Sequence, residues 1–272
     1  MRSDRDDFVH YMPENTERAF RKQFEISTRT FDSSEPGQGS ESVPYDYSSV
    51  MHYPAVAFSK NGLPTILPTN QKYERTLGQN AGPSFLDILN INRIYCDNKA
   101  SVQGLWSKIN SYCENDGYLD PKSKKRCICR DGFYGDKCQH IGSTKCGEKI
   151  LLDDQVTEKR ISFYSFVDDN SDTSCVWLIH NLSSDRKIIK IVSTDFEVPS
   201  TSANYCNLSW FEIRSDKPND FESTSLTHLG ARYCGEERHR INVLSREEKV
   251  MMLLQSSQDF GIVKLDLIVK II

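Results

Sequence analysis

The sequence predicts a multidomain chain: a cysteine-free segment carrying helices, a small disulfide-rich block, and an all-β sandwich. Three observations predict it. All nine cysteines of the 272 residues lie from Cys96 onward, so any order in residues 1–95 comes from apolar burial. Cys113, Cys127, Cys129 and Cys138 fall in a span too short for a hydrophobic core of its own, which makes it depend on covalent staples. From Cys146 to Ile272, short apolar runs alternate with polar turns, the pattern of a β-sandwich.

In the first segment, residues 13–24 favour a helix. Asn15 or Thr16 can cap it, and Phe20 and Phe24 share a face at i,i+4. Residues 28–48 hold Ser33, Ser34, Glu35, Pro36, Gly37 and Gly39 and read as loop. Residues 84–95 predict a second helix. Ser84 is its N-cap, Asp87 stands at the acidic position of a capping box, and Ile88, Ile91 and Tyr95 lie along one face. Residues 97–110 read as a linker. In the last part the best strand is also the final one: Val263, Leu265, Leu267, Val269 and Ile271 alternate with Lys264, Asp266, Ile268 and Lys270. Residues 161–167, 175–179, 188–192, 210–213 and 250–255 predict further strands.

Composition excludes several functions. The mean hydropathy is −0.55 and the longest strongly apolar run is residues 250–254, far short of the roughly 20 residues a bilayer-spanning helix needs. With 34 basic against 38 acidic residues, the chain carries no electrostatic footprint for nucleic acid. Cysteine density points to an oxidising compartment, and hence to secretion. Yet Met1, Arg2, Ser3, Asp4, Arg5, Asp6 and Asp7 form a charged start without an apolar signal region, so the chain is expected to be incomplete at its N-terminus. The six histidines include no i,i+4 pair and no H-E-x-x-H; G-x-S-x-G, Walker A and G-x-G-x-x-G motifs are absent as well. Each lone histidine reads as an ordinary surface or core residue, and the metal-ligand set is expected to be empty.

One segment carries a stronger signal. Ser49-Val50-Met51-His52-Tyr53, preceded by Tyr45-Asp46-Tyr47, resembles the Met-turn of the astacin family of zinc metalloendopeptidases. The flanks agree: Arg2-Ser3-Asp4-Arg5-Asp6, Phe58-Ser59-Lys60-Asn61-Gly62 with Pro64-Thr65-Ile66, Leu77-Gly78-Gln79, and residues 87–96 all resemble that family. The resemblance implies that residues 1–96 are the C-terminal half of an astacin-type protease domain, with a partial α+β fold. It implies Met51 as the floor beneath the metal and Tyr53 as the catalytic-site phenol, which can donate to a developing oxyanion. The family's H-E-x-x-H-x-x-G-x-x-H precedes the matched segment and is absent. With no zinc histidines and no general-base glutamate, the expectation is no cofactor and no peptide hydrolysis from this chain as given; zinc is expected for a complete family member. Cys96 matches a cysteine whose partner lies in that preceding part, and is expected to be unpaired here.

Cys113-Glu114-Asn115-Asp116-Gly117-Tyr118, Cys127-Ile128-Cys129, Gly132-Phe133-Tyr134-Gly135 and Cys138 resemble an EGF-like module over residues 109–139. That resemblance implies the pairs Cys113–Cys127 and Cys129–Cys138. The basic run Lys122, Lys124, Lys125 and Arg126 reads as a solvated hairpin face. Cys146-Gly147, Cys175-Val176-Trp177-Leu178-Ile179, Cys206 and Arg232-Tyr233-Cys234-Gly235 resemble a CUB domain over residues 146–272, implying the pairs Cys146–Cys175 and Cys206–Cys234. Ser209 stands where some CUB domains place a calcium-binding aspartate, which leaves Asp195, Glu197 and Asp259 as the acidic candidates. Asn181-Leu182-Ser183 and Asn207-Leu208-Ser209 are glycosylation sequons. The order of modules resembles a nematode-type astacin metalloproteinase. Two rival readings stand beside it: a non-catalytic secreted protein whose EGF-like and CUB modules bind an extracellular protein or peptide, and a degenerate product whose first segment exposes apolar surface.

Overall fold

The structure, a computed structural model, describes residues 1–26, 43–79, 82–96, 112–123, 125–142, 146–165, 173–185, 187–200, 206, 209–215, 230–235, 241–256 and 262–272. The predicted linker at 97–110, much of the loop at 28–48, Asp259 and Asn207 lie outside the described residues.

The first segment opens with a single helical turn, α1 (Arg5–Phe8), running into β1 (Val9–Tyr11), which pairs antiparallel with β2 (Ile66–Pro68). Its core is aromatic: Val9, Phe24, Tyr45, Tyr47, Ile66, Tyr73 and Leu77 are buried together. Ring pairs Phe8–Tyr45, Tyr11–Phe24 and Tyr47–Tyr73 stack at centroid distances of 4.5, 4.6 and 4.7 Å, an arrangement that adds to burial. The helix expected at 13–24 is corrected to a shorter 3₁₀ helix, Arg18–Phe24. Thr16 ends the helical option before it: it bridges to Ser59 as a β-pair and is fully buried. At three residues per turn, positions i and i+4 point apart, and Phe24 enters the core while Phe20 stays on the surface, stacked on Phe58 at 4.8 Å. A second 3₁₀ helix, Gln71–Thr76, follows.

Helix α2 (Phe85–Cys96) begins at the predicted capping box: Asp87 N donates to Ser84 Oγ at 3.0 Å, and Ser84 N donates to Asp87 Oδ2 at 2.9 Å. Its buried face differs from the expected one. Leu86 and Leu89 are buried against Val43 and Tyr118, whereas Ile91 and Tyr95 are exposed. Packing on the disulfide-rich block selects the Leu86–Leu89 stripe, and Asn92 Nδ2 donates to Tyr118 Oη at 2.9 Å on the same side.

That block consists of two hairpins, β3 (Tyr118–Leu119) with β4 (Cys127–Ile128) and β5 (Phe133–Tyr134) with β6 (His140–Ile141). Disulfides join Cys113 to Cys127 and Cys129 to Cys138. Phe133 and the cysteines pack onto Val176, Leu178, Met251 and Leu253 of the next unit, so the block borrows its core.

The remaining strands form a sandwich. One sheet orders β13 (Asn242–Ser245), β10 (Ile189–Glu197), β15 (Val263–Ile271) and β8 (Glu158–Ser165). The other orders β12 (Ala231–Tyr233), β11 (Trp210–Arg214), β14 (Lys249–Ser256), β9 (Thr173–Asn181) and β7 (Lys149–Leu152). All pairings within these sheets are antiparallel except β7 with β9. The final strand alternates as predicted, with Val263, Leu265, Leu267, Val269 and Ile271 all buried. In β9 and β14 both faces are covered, one by the sandwich core and one by the disulfide-rich block. That double burial explains the unbroken apolar run at 250–254. Disulfides Cys146–Cys175 and Cys206–Cys234 close the unit.

Candidate functional site around the Met51–Tyr53 turn

The turn at residues 46–54 is held from outside. Asp46 Oδ1 accepts from Ser48 N at 2.8 Å and Ser48 Oγ at 2.6 Å. Burial pushes the Asp46 carboxyl pKa up, against the hydrogen bonds from Ser48 and Ser84. Asp87 on α2 reaches back: its Oδ1 accepts from Ser49 Oγ at 2.6 Å and its Oδ2 from Val50 N at 3.0 Å. Gln79 Nε2 donates to Ser48 O at 2.5 Å. Gly78, at φ +78°, lies so close to Pro54 that a Cβ there would stand 2.4 Å from the proline Cα.

Within the turn, His52 is fully engaged. Its Nδ1 lies 2.7 Å from Tyr53 O, and its Nε2 lies 2.7 Å from Tyr45 Oη. A carbonyl only accepts, so Nδ1 carries the proton and Nε2 accepts from the phenol. Burial pushes the His52 pKa down, and burial likewise pushes the Tyr45 phenol up and Tyr47 up to about 12. This imidazole is a neutral structural link. Tyr53 is half-buried, its ring edge-on to Phe24 at 5.7 Å and to Phe58 at 5.6 Å. Met51 is 83% exposed.

A zinc ion needs three or four nitrogen, sulfur or oxygen ligands in tetrahedral reach. Among the described residues no group of three or more His, Cys, Asp or Glu could hold a metal. His52 has no ring nitrogen to spare, and Tyr53 offers one phenol. The described residues therefore do not fit zinc by themselves. Met51, which the resemblance implies as the floor beneath the metal, projects at the surface.

Residues 1–96 match the family model described as astacin, peptidase family M12A. Residues 1–96 belong to the astacin family. Across the whole chain, the zinc metalloproteinase dpy-31 of Brugia malayi is 31% identical over 262 residues, covering 94% of this chain and 40% of that protein. The zinc metalloproteinase nas-36 of Caenorhabditis elegans is 29% identical over 225 residues, covering 80% of this chain and 34% of that protein. This chain thus spans well under half the length of these relatives. Among solved structures, high choriolytic enzyme 1, a hatching enzyme zinc-protease of Oryzias latipes, aligns at 35% identity and a TM-score of 0.29, covering 36% of this chain and 44% of that one.

Outside the astacin segment, the other predicted residues fall as follows. Cys96 is a free, exposed thiol. Asn181 is only 8% exposed; its Nδ2 donates to Lys187 O at 2.6 Å and its Oδ1 accepts from Ser183 N at 3.0 Å. Ser209 is fully buried, and Asp195 is ion-paired with Lys264. Two arrangements escaped sequence reasoning. Asp87 was legible as a cap but not as an anchor for the turn. A charged cluster also lies beneath a cavity of about 590 Å³ where the three parts of the chain meet. There Glu212 accepts from Arg214 Nε at 2.7 Å and Arg232 Nε at 3.1 Å. The E-x-R spacing of Glu212 and Arg214 placed both on one strand face; the third member, from β12, left no sequence signal.

Proposed function

We propose that this chain contributes the Met-turn half of a secreted astacin-type zinc metalloendopeptidase and carries an EGF-like module (109–139) and a CUB domain (146–272) for binding an extracellular protein or peptide. The observation that carries this reading is the turn itself: Ser49 to Tyr53 is gripped by α2, and Tyr53 is seated on Phe24 and Phe58. When bound, zinc would polarise a peptide carbonyl and activate a water; this sequence itself carries no H-E-x-x-H to hold it. What the present residues do is hold a phenol at a fixed place, where it can donate to a developing oxyanion. By themselves they do not hydrolyse peptides. The test is zinc analysis and a quenched-peptide assay on the purified chain, alone and joined to the zinc-binding half of a nematode relative. Expected is hydrolysis only for the joined protein, reduced about 10²-fold by Tyr53→Phe. Full activity in that variant would sink the role of the phenol.

The non-catalytic binding reading is favoured by a different observation. The astacin segment has a closed aromatic core and is bonded to the sandwich through Arg75 and Thr76, so it can act as part of a binding body without metal. An inactive joined protein that still captured an extracellular partner would favour this second reading.

A further inference from the structure

We infer that Asp87 is a positioning residue for the turn that carries Met51 and Tyr53, an inference that deepens the peptidase reading above and rests on it for its meaning in catalysis. Capping α2 requires one bond from this carboxylate, the acceptance of Ser84 N at 2.9 Å. The side chain does more. Its Oδ2 also takes Val50 N at 3.0 Å, and its Oδ1 takes Ser49 Oγ at 2.6 Å, both donors from residues 37 and 38 positions earlier. Helix propensity explains neither contact.

The direction of these bonds passes order along the turn. An ionised carboxylate only accepts, so Ser49 commits its single hydroxyl proton to Asp87. The lone pairs of that oxygen are then free for Met51 N, which donates to Ser49 Oγ at 3.1 Å. Ser49 O accepts from His52 N at 3.0 Å, and the His52 ring reaches the Tyr53 carbonyl. Each residue from Ser49 to Tyr53 is thereby fixed, directly or through one or two neighbours, to a side chain in the first turn of a helix. Ser84 closes the other side: its Oγ donates to Asp46 Oδ2 at 2.5 Å, tying the start of the turn to the same helix terminus. An amide that keeps its oxygen on Val50 N–H and Ser84 N–H presents its NH2 to Ser49 Oγ, so the isostere loses the acceptor that takes the Ser49 hydroxyl proton.

The test uses the full chain with ¹³C-methyl methionine and ¹⁵N-labelled histidine, read by NMR. In Asp87→Asn and Ser49→Ala the Met51 methyl and His52 ring resonances are expected to move by more than a linewidth. Met251 and Met252, buried in the sandwich, should stay in place and report an intact fold. Asn92→Ala, which cuts a contact from the same helix to Tyr118, should leave Met51 and His52 alone. Should Asp87→Asn lose the native Met251 and Met252 signals, Ser49→Ala decides, because it leaves the helix cap whole. Unmoved Met51 and His52 resonances in a folded Ser49→Ala variant would overturn the inference; a residue serving only as a cap gives that result. The readout needs neither zinc nor substrate, so a failed peptidase assay bears on the proposed function and not on this positioning.

Discussion

Arg75 Nη1 donates to the carbonyl of Cys234 at 2.7 Å, joining the astacin segment to the sandwich across 159 residues of chain. The carbonyl of the same arginine accepts from Cys206 N at 3.0 Å, so Arg75 holds both ends of the Cys206–Cys234 disulfide. Beside it, Thr76 Oγ1 bonds Gly230 O and Arg232 N, each at 3.3 Å. Arg75→Ala removes a charged donor and leaves the Cys234 carbonyl without it, a loss of about 1.5–3 kcal/mol. Hydrogen exchange should show lower protection in residues 71–76 and unchanged protection in β10 and β15. Equal loosening of both regions would contradict a contact that acts between the units.

Glu212 gives the fold a pH dependence of defined sign. Burial alone would raise its pKa, but the Arg214 and Arg232 guanidiniums outweigh burial and hold it at about 2, below its ordinary 4.5. A depressed carboxylate adds stability that is fully present above pH 4.5 and is lost as pH falls from there toward 2. Glu212→Gln removes the carboxylate shared by two buried guanidiniums, leaving Arg214 its contacts with Asp131, and is expected to cost about 3–5 kcal/mol near neutral pH. Urea midpoints should therefore separate wild type from the variant widely at pH 7 and converge as the acid is titrated. A gap that stays constant down to pH 2 would refute the ion pairing.

What the sequence disclosed follows the range of the interactions concerned. The alternation in β15 and the Ser84–Asp87 box are local, and both stand in the structure at the residues expected. The four disulfides are the pairs implied by family resemblance, which carries long-range information that spacing alone lacks. The failures are long-range. The Thr16–Ser59 bridge replaced a plausible helix with a 3₁₀ turn. Tyr118 chose which stripe of α2 is buried. The short strands Lys149–Leu152, Ala231–Tyr233 and Asn242–Ser245 lack a periodic signal because each is stabilised by the neighbour it pairs with. At the site, Met51 and Tyr53 were legible as a motif; the grip of Asp87 on Ser49 and Val50 required the fold.

Asn181 meets the sequon rule, but its environment works against it. The nitrogen that would carry a glycan donates to Lys187 O, and the side-chain oxygen accepts from the Ser183 backbone N and hydroxyl. These bonds build the turn between β9 and β10, a local use of asparagine that competes with modification. Glycopeptide mass spectrometry of secreted protein is expected to find Asn181 unmodified. Asn181→Ala should cost about 1–3 kcal/mol by leaving buried partners unsatisfied. Full occupancy at Asn181 with native stability would overturn this assignment.

Gly78 is the position where backbone geometry and the candidate site meet. Its φ of +78° lies in the left-handed region, and its α-carbon faces Pro54, immediately after Tyr53. Alanine there faces two penalties: the conformation disfavours a Cβ by roughly 1 kcal/mol, and the methyl group would stand 2.4 Å from the Pro54 Cα and Cβ. Backbone atoms cannot yield as a flexible side chain does, so Pro54 or the backbone at 78–79 must shift. Gly78→Ala is expected to destabilise the astacin segment by about 2–4 kcal/mol, since overpacking adds to the strain. Gly62, also at positive φ (+76°) but with open space around its α-carbon, is the internal control. Gly62→Ala should cost only the conformational part, about 1 kcal/mol. Thermal unfolding of the two variants separates the effects: equal losses would mean that close approach to Pro54 contributes nothing, whereas a larger loss at Gly78 assigns the difference to contact with the turn.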